Sequence, residues 1–88
     1  MRYSVETTPR FDKEFSKLDH YTQRMIKNWI MNRLEGCSDP KAFGKGLTGN
    51  RTGQWRYRIG DYRLICHIKE NELVILALTI GHRRSVYH

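Results

Sequence analysis

Arginine, histidine and tyrosine side chains are concentrated near the end of the chain, in the stretch "TIGHRRSVYH" that runs from Thr79 to His88. The stretch holds two guanidinium groups, two imidazoles and one phenol. Guanidinium groups bind phosphates through paired hydrogen bonds, and imidazole gains and loses protons near neutral pH. Side chains of these types are suited to holding a phosphate diester and to moving protons beside it.

Cleavage of RNA without a metal ion requires side chains of this kind. The ribose 2′-OH attacks the adjacent phosphate, the bond to the 5′ oxygen breaks, and the products carry a 2′,3′-cyclic phosphate and a 5′-OH. Proton transfer and stabilisation of the phosphorane charge each contribute on the order of 10²-fold or more to the rate. Arginine stabilises the charge but keeps its own proton, so it is a poor base. His82 and Tyr87 therefore both stay open as the proton acceptor.

Two segments before this stretch, "QWRYRIG" and "DYRLICHIK", are predicted to be adjacent strands joined by a tight Gly-Asp turn. Side chains alternate between the faces of a strand, so Arg56 and Arg58 share one face, and Arg63 and His67 share the matching face of the next strand. Three arginines on one face repel one another unless an anion joins them. We therefore expect a phosphate-binding platform here, whereas a lone histidine such as His67 is more often a surface group than a catalyst.

The distribution of charge supports a polyanion as the partner. Lys and Arg outnumber Asp and Glu by 16 to 9, which gives a formal charge of +7. Residues 1–40 carry seven basic and six acidic side chains, whereas residues 41–88 carry nine basic and only three acidic ones. A balanced half joined to a strongly basic half predicts a nucleic-acid-binding face that is built by the second half.

The first half of the chain has the signals of one strand and two helices. "YSVETT" is prone to form a strand, and Thr8 is placed to cap a helix that runs from Pro9 to Leu18. Asp19 is placed to cap a second, longer helix, and Gly36 provides the signal for its end. The apolar residues recur at helical spacing, which predicts a helical hairpin with one face packed on a sheet.

A loop and three strands make up the second half. The loop "CSDPKAFGKGLTGNRTG" is rich in Gly, Asp and Pro, and Phe43 and Leu47 are expected to anchor it. The third strand, "ELVILALTIG", is expected to carry His82, Arg83, Arg84 and Tyr87 to the rim of the arginine face. The order βααβββ predicts an α+β fold: a single domain of residues 1–88 in which two helices pack on one face of a small, mainly antiparallel sheet.

Other features of the sequence bear on location and cofactors. No apolar run approaches the roughly 20 residues that span a membrane, and the opening "MRYSVETTPRF" turns polar too early for a secretory signal. These features predict a cytoplasmic protein without a membrane partner. Cys37 and Cys66 fit no disulfide framework and no familiar zinc spacing with the histidines, so neither a metal nor a cofactor is expected.

The second half also resembles a known family. The stretch "KGLTGNRTGQWRYRIGDYRLICHI" looks like the L-x-G loop, the basic strand and the G-x-Y-R-L strand of the RelE/ParE superfamily of bacterial toxin–antitoxin toxins, and the ending "IGHRRSVY" looks like its terminal motif. The resemblance is to the RelE-like mRNA interferases in particular. It implies a RelE-like fold and a toxin of a type II toxin–antitoxin system that cleaves mRNA in the ribosomal A site. The implied partners are the 70S ribosome, its mRNA and a cognate RelB-like antitoxin.

The resemblance also implies roles for individual residues. Arg63 matches the arginine that stabilises the phosphate, Arg83 the arginine of the terminal motif, and Tyr87 the tyrosine near the scissile nucleotide. His82 stands where relatives have histidine or lysine. The residues predicted to be catalytic are therefore Arg63, Arg83, Tyr87 and His82, and those predicted to bind RNA phosphates are Arg56, Arg58 and Arg84.

Two other functions stay open. A ParE-like inhibitor of DNA gyrase shares the fold and acts by binding, although that branch generally lacks the Arg–Arg–Tyr set. A nucleic-acid-binding module without catalysis accounts for the basic half, but not for histidine and tyrosine among the phosphate-binding residues. The interferase prediction is the one that uses all of these side chains.

Overall fold

The computed structural model describes residues 1–84 of the chain. The strands pair in the order β1-β5-β4-β3-β2, and every neighbouring pair is antiparallel except β1 with β5. The predicted α+β fold, two helices on one face of a mainly antiparallel sheet, is confirmed. The elements are β1 Ser4–Thr7, α1 Pro9–Ser16, α2 His20–Arg33, β2 Lys45–Gly46, β3 Gln54–Ile59, β4 Tyr62–Lys69 and β5 Val74–His82, with two short 3₁₀ helices at Pro40–Phe43 and Gly49–Arg51.

The helices begin where the sequence predicts. The hydroxyl of Thr8 accepts a hydrogen bond of 3.2 Å from the Phe11 N–H, and proline occupies the first turn of α1. This helix ends at Ser16, two residues before the predicted end, and Asp19 is the N-cap residue of α2. Within residues 1–84 there is no helix with the length and apolar character needed to cross a membrane.

The hydrophobic core lies between the helices and one face of the sheet, which we call the covered face. Trp29 of α2 contacts Tyr57 of β3, with 5.7 Å between the ring centroids. This contact and the buried positions confirm that the helices cover the aromatic side of β3. The buried core residues are Phe11, Ile26, Ile30 and Leu34 from the helical half and Tyr57, Ile59, Leu64, Cys66, Ile75, Ala77 and Ile80 from the sheet.

A two-residue strand, β2, extends the sheet beyond the predicted meander. The Tyr57 hydroxyl donates a buried hydrogen bond of 2.7 Å to the Pro40 carbonyl oxygen. Gly44 lies so close to β3 that a Cβ there would be 2.5 Å from the Arg56 carbonyl oxygen. The prediction that Phe43 anchors this loop is wrong, because its side chain is 44% exposed. Tyr57 anchors the segment instead.

A β-bulge changes the register of β5 halfway along its length. Ile65 pairs with Thr79 and Cys66 pairs with Ala77, so Leu78 is an extra residue between the two pairs. The Thr8 hydroxyl contacts the carbonyl oxygens of Ala77 and Leu78 at 3.0 and 3.2 Å. A bulge of this kind reverses which residues of the strand point to each face.

Helix α1 also supports the part of β5 that follows the bulge. Oε1 of Glu14 accepts hydrogen bonds from the Thr79 hydroxyl at 2.6 Å and from the Ile80 N–H at 3.1 Å. The paired residues of β1 end at Thr7, opposite Ala77. Beyond this point the Glu14 carboxylate, and not the backbone of β1, accepts hydrogen bonds from the edge of β5. The end of β5 is thereby held by a side chain from the other half of the chain.

Candidate nucleic-acid interface

The face of the sheet that points away from the helices, here called the open face, carries the predicted arginines. Arg58 of β3 pairs with Arg63 of β4, and Arg56 pairs with Ile65. Paired residues in antiparallel strands point to the same side, with Cβ atoms about 4.5–5.5 Å apart. The sequence prediction that these three arginines share a face therefore agrees with the register.

The Arg58–Arg63 pair brings two positive charges together. Like charges that lie directly opposite each other destabilise a sheet. Arg63 is half-buried, and its Nη1 donates to the neighbouring Tyr62 carbonyl oxygen at 3.3 Å. The ion pairs described, Arg10–Glu14 and Lys41–Glu70, include neither member of the pair. An anion bound between the two guanidinium groups would relieve their repulsion, and a phosphate matches their hydrogen-bonding geometry.

The end of β5 lies beside this pair. Gly81 pairs with Arg63 and contributes no side chain to the row across the strands. One residue past the strand, the Arg83 N–H donates to the Asp61 carbonyl oxygen at 2.8 Å, so the ladder continues for one more step. Alternation from Gly81 places Arg83 on the open face, next to the Arg58–Arg63 pair.

His82 lies on the opposite side of the sheet from these arginines. It pairs with Tyr62, a core-packing residue of the covered face, and the two rings meet edge to face with 5.7 Å between their centroids. The expectation that the strand delivers His82 to the arginine rim is therefore wrong in its placement. The bulge at Leu78 is the physical reason, because it reverses the alternation before the strand reaches His82.

The remaining predicted residues are placed as follows. Arg84 is exposed, and its N–H donates to Nδ1 of His82 at 3.4 Å. His67 is an exposed residue of the open face, four positions along β4 from Arg63, which corresponds to roughly 13 Å. Tyr87 and His88 lie outside the described residues.

A groove beside the arginines involves two residues, Phe43 and Lys45, that were not predicted to belong to the site. The groove has a volume of about 310 Å³. Lys45 of β2 pairs with Arg56, which adds a third strand to the basic surface. Phe43 forms its exposed apolar wall. We call this feature the Phe43 groove, and its lining residues are Ala42, Phe43, Gly44, Lys45, Arg56 and Arg58.

The Tyr57 phenol and the Cys66 thiol are buried in the core. Burial raises the pKa of the Tyr57 phenol well above its usual range, and its hydroxyl is held by Pro40. Burial also raises the pKa of the Cys66 thiol. Among residues 1–84, no three His, Cys, Asp or Glu side chains are grouped so that they could hold a metal ion.

A family model described as the ParE toxin of the type II toxin–antitoxin system parDE matches residues 5–87. The chain therefore belongs to this family of toxins. No curated protein sequence matches it.

Solved structures of RelE proteins have the same fold. The RelBE2 toxin–antitoxin complex from Mycobacterium tuberculosis contains a chain with a TM-score of 0.85 and 24% identity, and the match covers 94% of this chain and 100% of that one. The isolated RelE toxin of E. coli matches with a TM-score of 0.71 and 22% identity over 97% of this chain and 90% of that one. The archaeal RelE–RelB complex from Pyrococcus horikoshii matches with a TM-score of 0.70 and 22% identity over 98% and 100%.

Proposed function

We propose that this toxin is a ribosome-dependent endoribonuclease that cleaves mRNA in the ribosomal A site. The observation that carries the proposal is the Arg58–Arg63 pair on the open face. Two arginines at directly opposite positions of neighbouring strands have the charge and the hydrogen-bond donors to bind one phosphate diester of an RNA strand. The likeness of the fold to RelE toxins supports the same reading.

In the proposed reaction, the arginines supply positive charge and the substrate supplies the nucleophile. Arg63 and Arg83 stabilise the phosphorane that forms when the 2′-OH attacks the phosphorus. Arg56 and Arg58 hold the flanking phosphates, and Arg84 adds charge at the rim. One group accepts the proton of the 2′-OH, and another protonates the 5′ oxygen as its bond to phosphorus breaks. The proton accepted and the proton donated balance, no atom is oxidised or reduced, and the step needs no metal ion.

Tyr87 is the leading candidate for the proton acceptor. Arginine does not release its proton at physiological pH, which excludes Arg56, Arg58 and Arg63 from this step. His82 belongs to the covered side of the sheet end and contacts Tyr62, so it reaches the Arg58–Arg63 pair only around the strand end. We therefore assign His82 a supporting role beside Tyr87.

We further propose a RelB-like antitoxin as the partner that neutralises the toxin. The structures from M. tuberculosis and P. horikoshii are of a toxin–antitoxin complex and a RelE–RelB complex. The formal charge of +7, concentrated in residues 41–88, favours an antitoxin segment with acidic residues that covers the basic face. Coexpression with the neighbouring small reading frame tests this, and the absence of both a complex and a rescue of growth would contradict it.

A second candidate is an inhibitor of DNA gyrase that acts by binding. It is favoured by one observation, that the matching family model is that of the ParE toxin. The Arg58–Arg63 pair together with Arg83 favours the nuclease, because binding alone does not require positive charge concentrated around one phosphate.

Induction of the toxin in growing bacteria tests these alternatives. The nuclease predicts new mRNA 5′ ends at fixed positions within codons of translated messages, whereas gyrase inhibition predicts DNA breaks without such ends. Arg63→Ala and Arg83→Ala should slow cleavage by roughly 10²-fold or more, because each removes a donor to the transition state. Arg24→Ala is the matched control, since it removes an exposed arginine from α2 on the other side of the sheet. Equal toxicity of the Arg83→Ala and Arg24→Ala proteins would refute the assignment.

A further inference from the structure

The exposed ring of Phe43 is rigidly mounted beside the basic groove. Its side chain is 44% exposed, although the backbone around it is fixed on both sides. The Tyr57 hydroxyl holds the Pro40 carbonyl at 2.7 Å, and the Lys45–Arg56 pairing joins the segment to β3. A large apolar ring is thus presented to solvent on a segment that contacts β3 on both sides of Phe43.

Gly44 is what allows this arrangement. A Cβ at this position would lie 2.5 Å from the Arg56 carbonyl oxygen and 2.8 Å from the Tyr57 ring. With glycine, the chain lies directly against β3, and Phe43 is brought next to the groove that Arg56 and Arg58 line. The close approach therefore places an aromatic ring and two guanidinium groups around one concave surface.

We infer that the Phe43 groove is a subsite for one nucleobase of a single-stranded RNA, which stacks on the Phe43 ring while Lys45 and Arg56 hold its phosphates. The inference rests on the proposed function for the identity of the strand. Aromatic rings beside cationic side chains are the general means by which proteins bind single strands, because every base has a face that can stack.

Charge on this side of the ring favours an anionic partner, such as the RNA strand of the proposed function. Among the described residues that line the groove, three are cationic and none is acidic. Phe43 also borders a second depression on its other side, whose lining includes two acidic residues, Glu35 and Asp39, and one cationic residue, Arg33. An RNA phosphate is therefore attracted more strongly to the first side, which has three cationic residues, than to the second.

The position of the subsite defines which nucleotide it holds. Neighbouring strands lie about 4.8 Å apart, so β2 is roughly 10 Å across the sheet from the Arg63 strand, β4. The base on Phe43 therefore belongs to a nucleotide that flanks the phosphate at the Arg58–Arg63 pair. The subsite helps to set the position along the message at which the protein binds. Other residues contact the reacting atoms.

Binding of a non-cleavable oligonucleotide tests the subsite separately from catalysis. The full-length toxin is titrated into a fluorescent 2′-O-methyl RNA, and anisotropy gives the dissociation constant. Phe43→Ala and Phe43→Leu should each weaken binding about fivefold or more, since stacking is lost. Phe43→Tyr should bind like the parent because it keeps the ring. Tyr21→Ala is the control: it removes another exposed aromatic side chain, 70% exposed on α2, and should change nothing.

Abasic substitution identifies the base that is bound. Each position of the oligonucleotide is replaced in turn by an abasic unit, which keeps the phosphate. The parent should lose about fivefold or more in affinity at one position, and Phe43→Ala should lose nothing further there. If the abasic substitution and Phe43→Ala lower the affinity additively, the inference is overturned. So would a Phe43→Ala variant that binds RNA like the parent, including one that has lost only antitoxin binding.

The outcomes for the subsite and for the nuclease can be told apart. A parent that binds RNA through Phe43 but leaves mRNA on ribosomes intact overturns the nuclease and keeps the subsite. A nuclease whose RNA binding ignores Phe43 overturns the subsite alone. A parent that binds no RNA overturns the subsite, and mapping of mRNA ends then decides the nuclease separately.

Discussion

Replacing Glu14 with alanine should loosen the end of β5 and measurably destabilise the fold. The carboxylate accepts hydrogen bonds from the Thr79 hydroxyl at 2.6 Å and from the Ile80 N–H at 3.1 Å. Its removal leaves two donors at a partly buried sheet edge without their acceptor. Hydrogen bonds to charged groups contribute about 1.5–3 kcal/mol each, and leaving donors unpaired carries a comparable cost.

The expected magnitude is smaller than the sum of two such bonds. The Glu14 side chain is 32% exposed, so water compensates for part of the loss. We therefore expect the free energy of unfolding to fall by about 2 kcal/mol in Glu14→Ala. A domain of this size loses about 4–8 °C in melting temperature per kcal/mol, which gives a drop of roughly 8–16 °C.

Two variants separate the hydrogen bonds from the surface ion pair. Glu14→Gln keeps an acceptor oxygen at the position of Oε1 and should lose less than half as much stability as Glu14→Ala. Arg10→Ala removes only the 3.5 Å contact of a side chain that is 74% exposed, and such pairs contribute about 0.5 kcal/mol. All variants are purified in an Arg83→Ala background, in which the proposed toxicity is absent, and are melted by circular dichroism. Equal melting temperatures for Glu14→Ala and Arg10→Ala would refute the reasoning, as would unchanged hydrogen exchange at the Ile80 amide.

Other properties of the chain are expected as follows. Arg58→Ala should reduce the slope of log affinity for single-stranded RNA against log salt by about 0.7, because one phosphate contact is lost; an unchanged slope places Arg58 away from the strand. In single-turnover cleavage on programmed ribosomes, Tyr87→Phe should slow the reaction more than His82→Gln does, and full activity of the Phe variant would limit the tyrosine to stacking. Burial raises the pKa of Cys66, so at pH 8 this thiol stays protonated and should react with an aromatic disulfide reagent only after unfolding. Rapid modification of two thiols in the native protein would contradict that packing.

Much of the open face was predictable because the geometry of a strand is regular. The period of two residues placed Arg56 and Arg58 on one side of β3, and the tight turn after Ile59 set Arg63 opposite Arg58. The helix starts were equally local, since Thr8 and Asp19 both stand at caps. Each of these features depends on residues within a few positions of one another.

The features that escaped prediction depend on contacts between distant parts of the chain. Alternation carried on from Ile75 and Ala77 would put His82 on the open face and Arg83 on the covered face. The bulge at Leu78 reverses both placements, and it is contacted by a side chain, Thr8, that lies 70 positions away in sequence. No local pattern in "ELVILALTIG" marks the extra residue.

The second strand of the sheet escaped for a related reason. Two residues, Lys45 and Gly46, are too few to show a strand pattern, and their pairing depends on Tyr57 and Gly44. Phe43 was expected to be an anchor because large apolar residues in loops are commonly buried. The Tyr57 hydroxyl anchors the segment instead, and the Phe43 ring lies at the surface.

The parallel pairing of β1 with β5 has a consequence for the time at which the sheet can be completed during synthesis. Thr7 pairs with Ala77, and the Thr8 hydroxyl reaches the Leu78 carbonyl across 70 positions of sequence. At a synthesis rate of about 5–20 residues per second, β1 waits roughly 4–14 s for the strand that completes its side of the sheet. Late in that interval Arg63 has been made, whereas Gly81 and Arg83 have not. The ribosome that translates the message therefore carries an incomplete domain, in which β1 has no partner strand until residues 74–77 have been made.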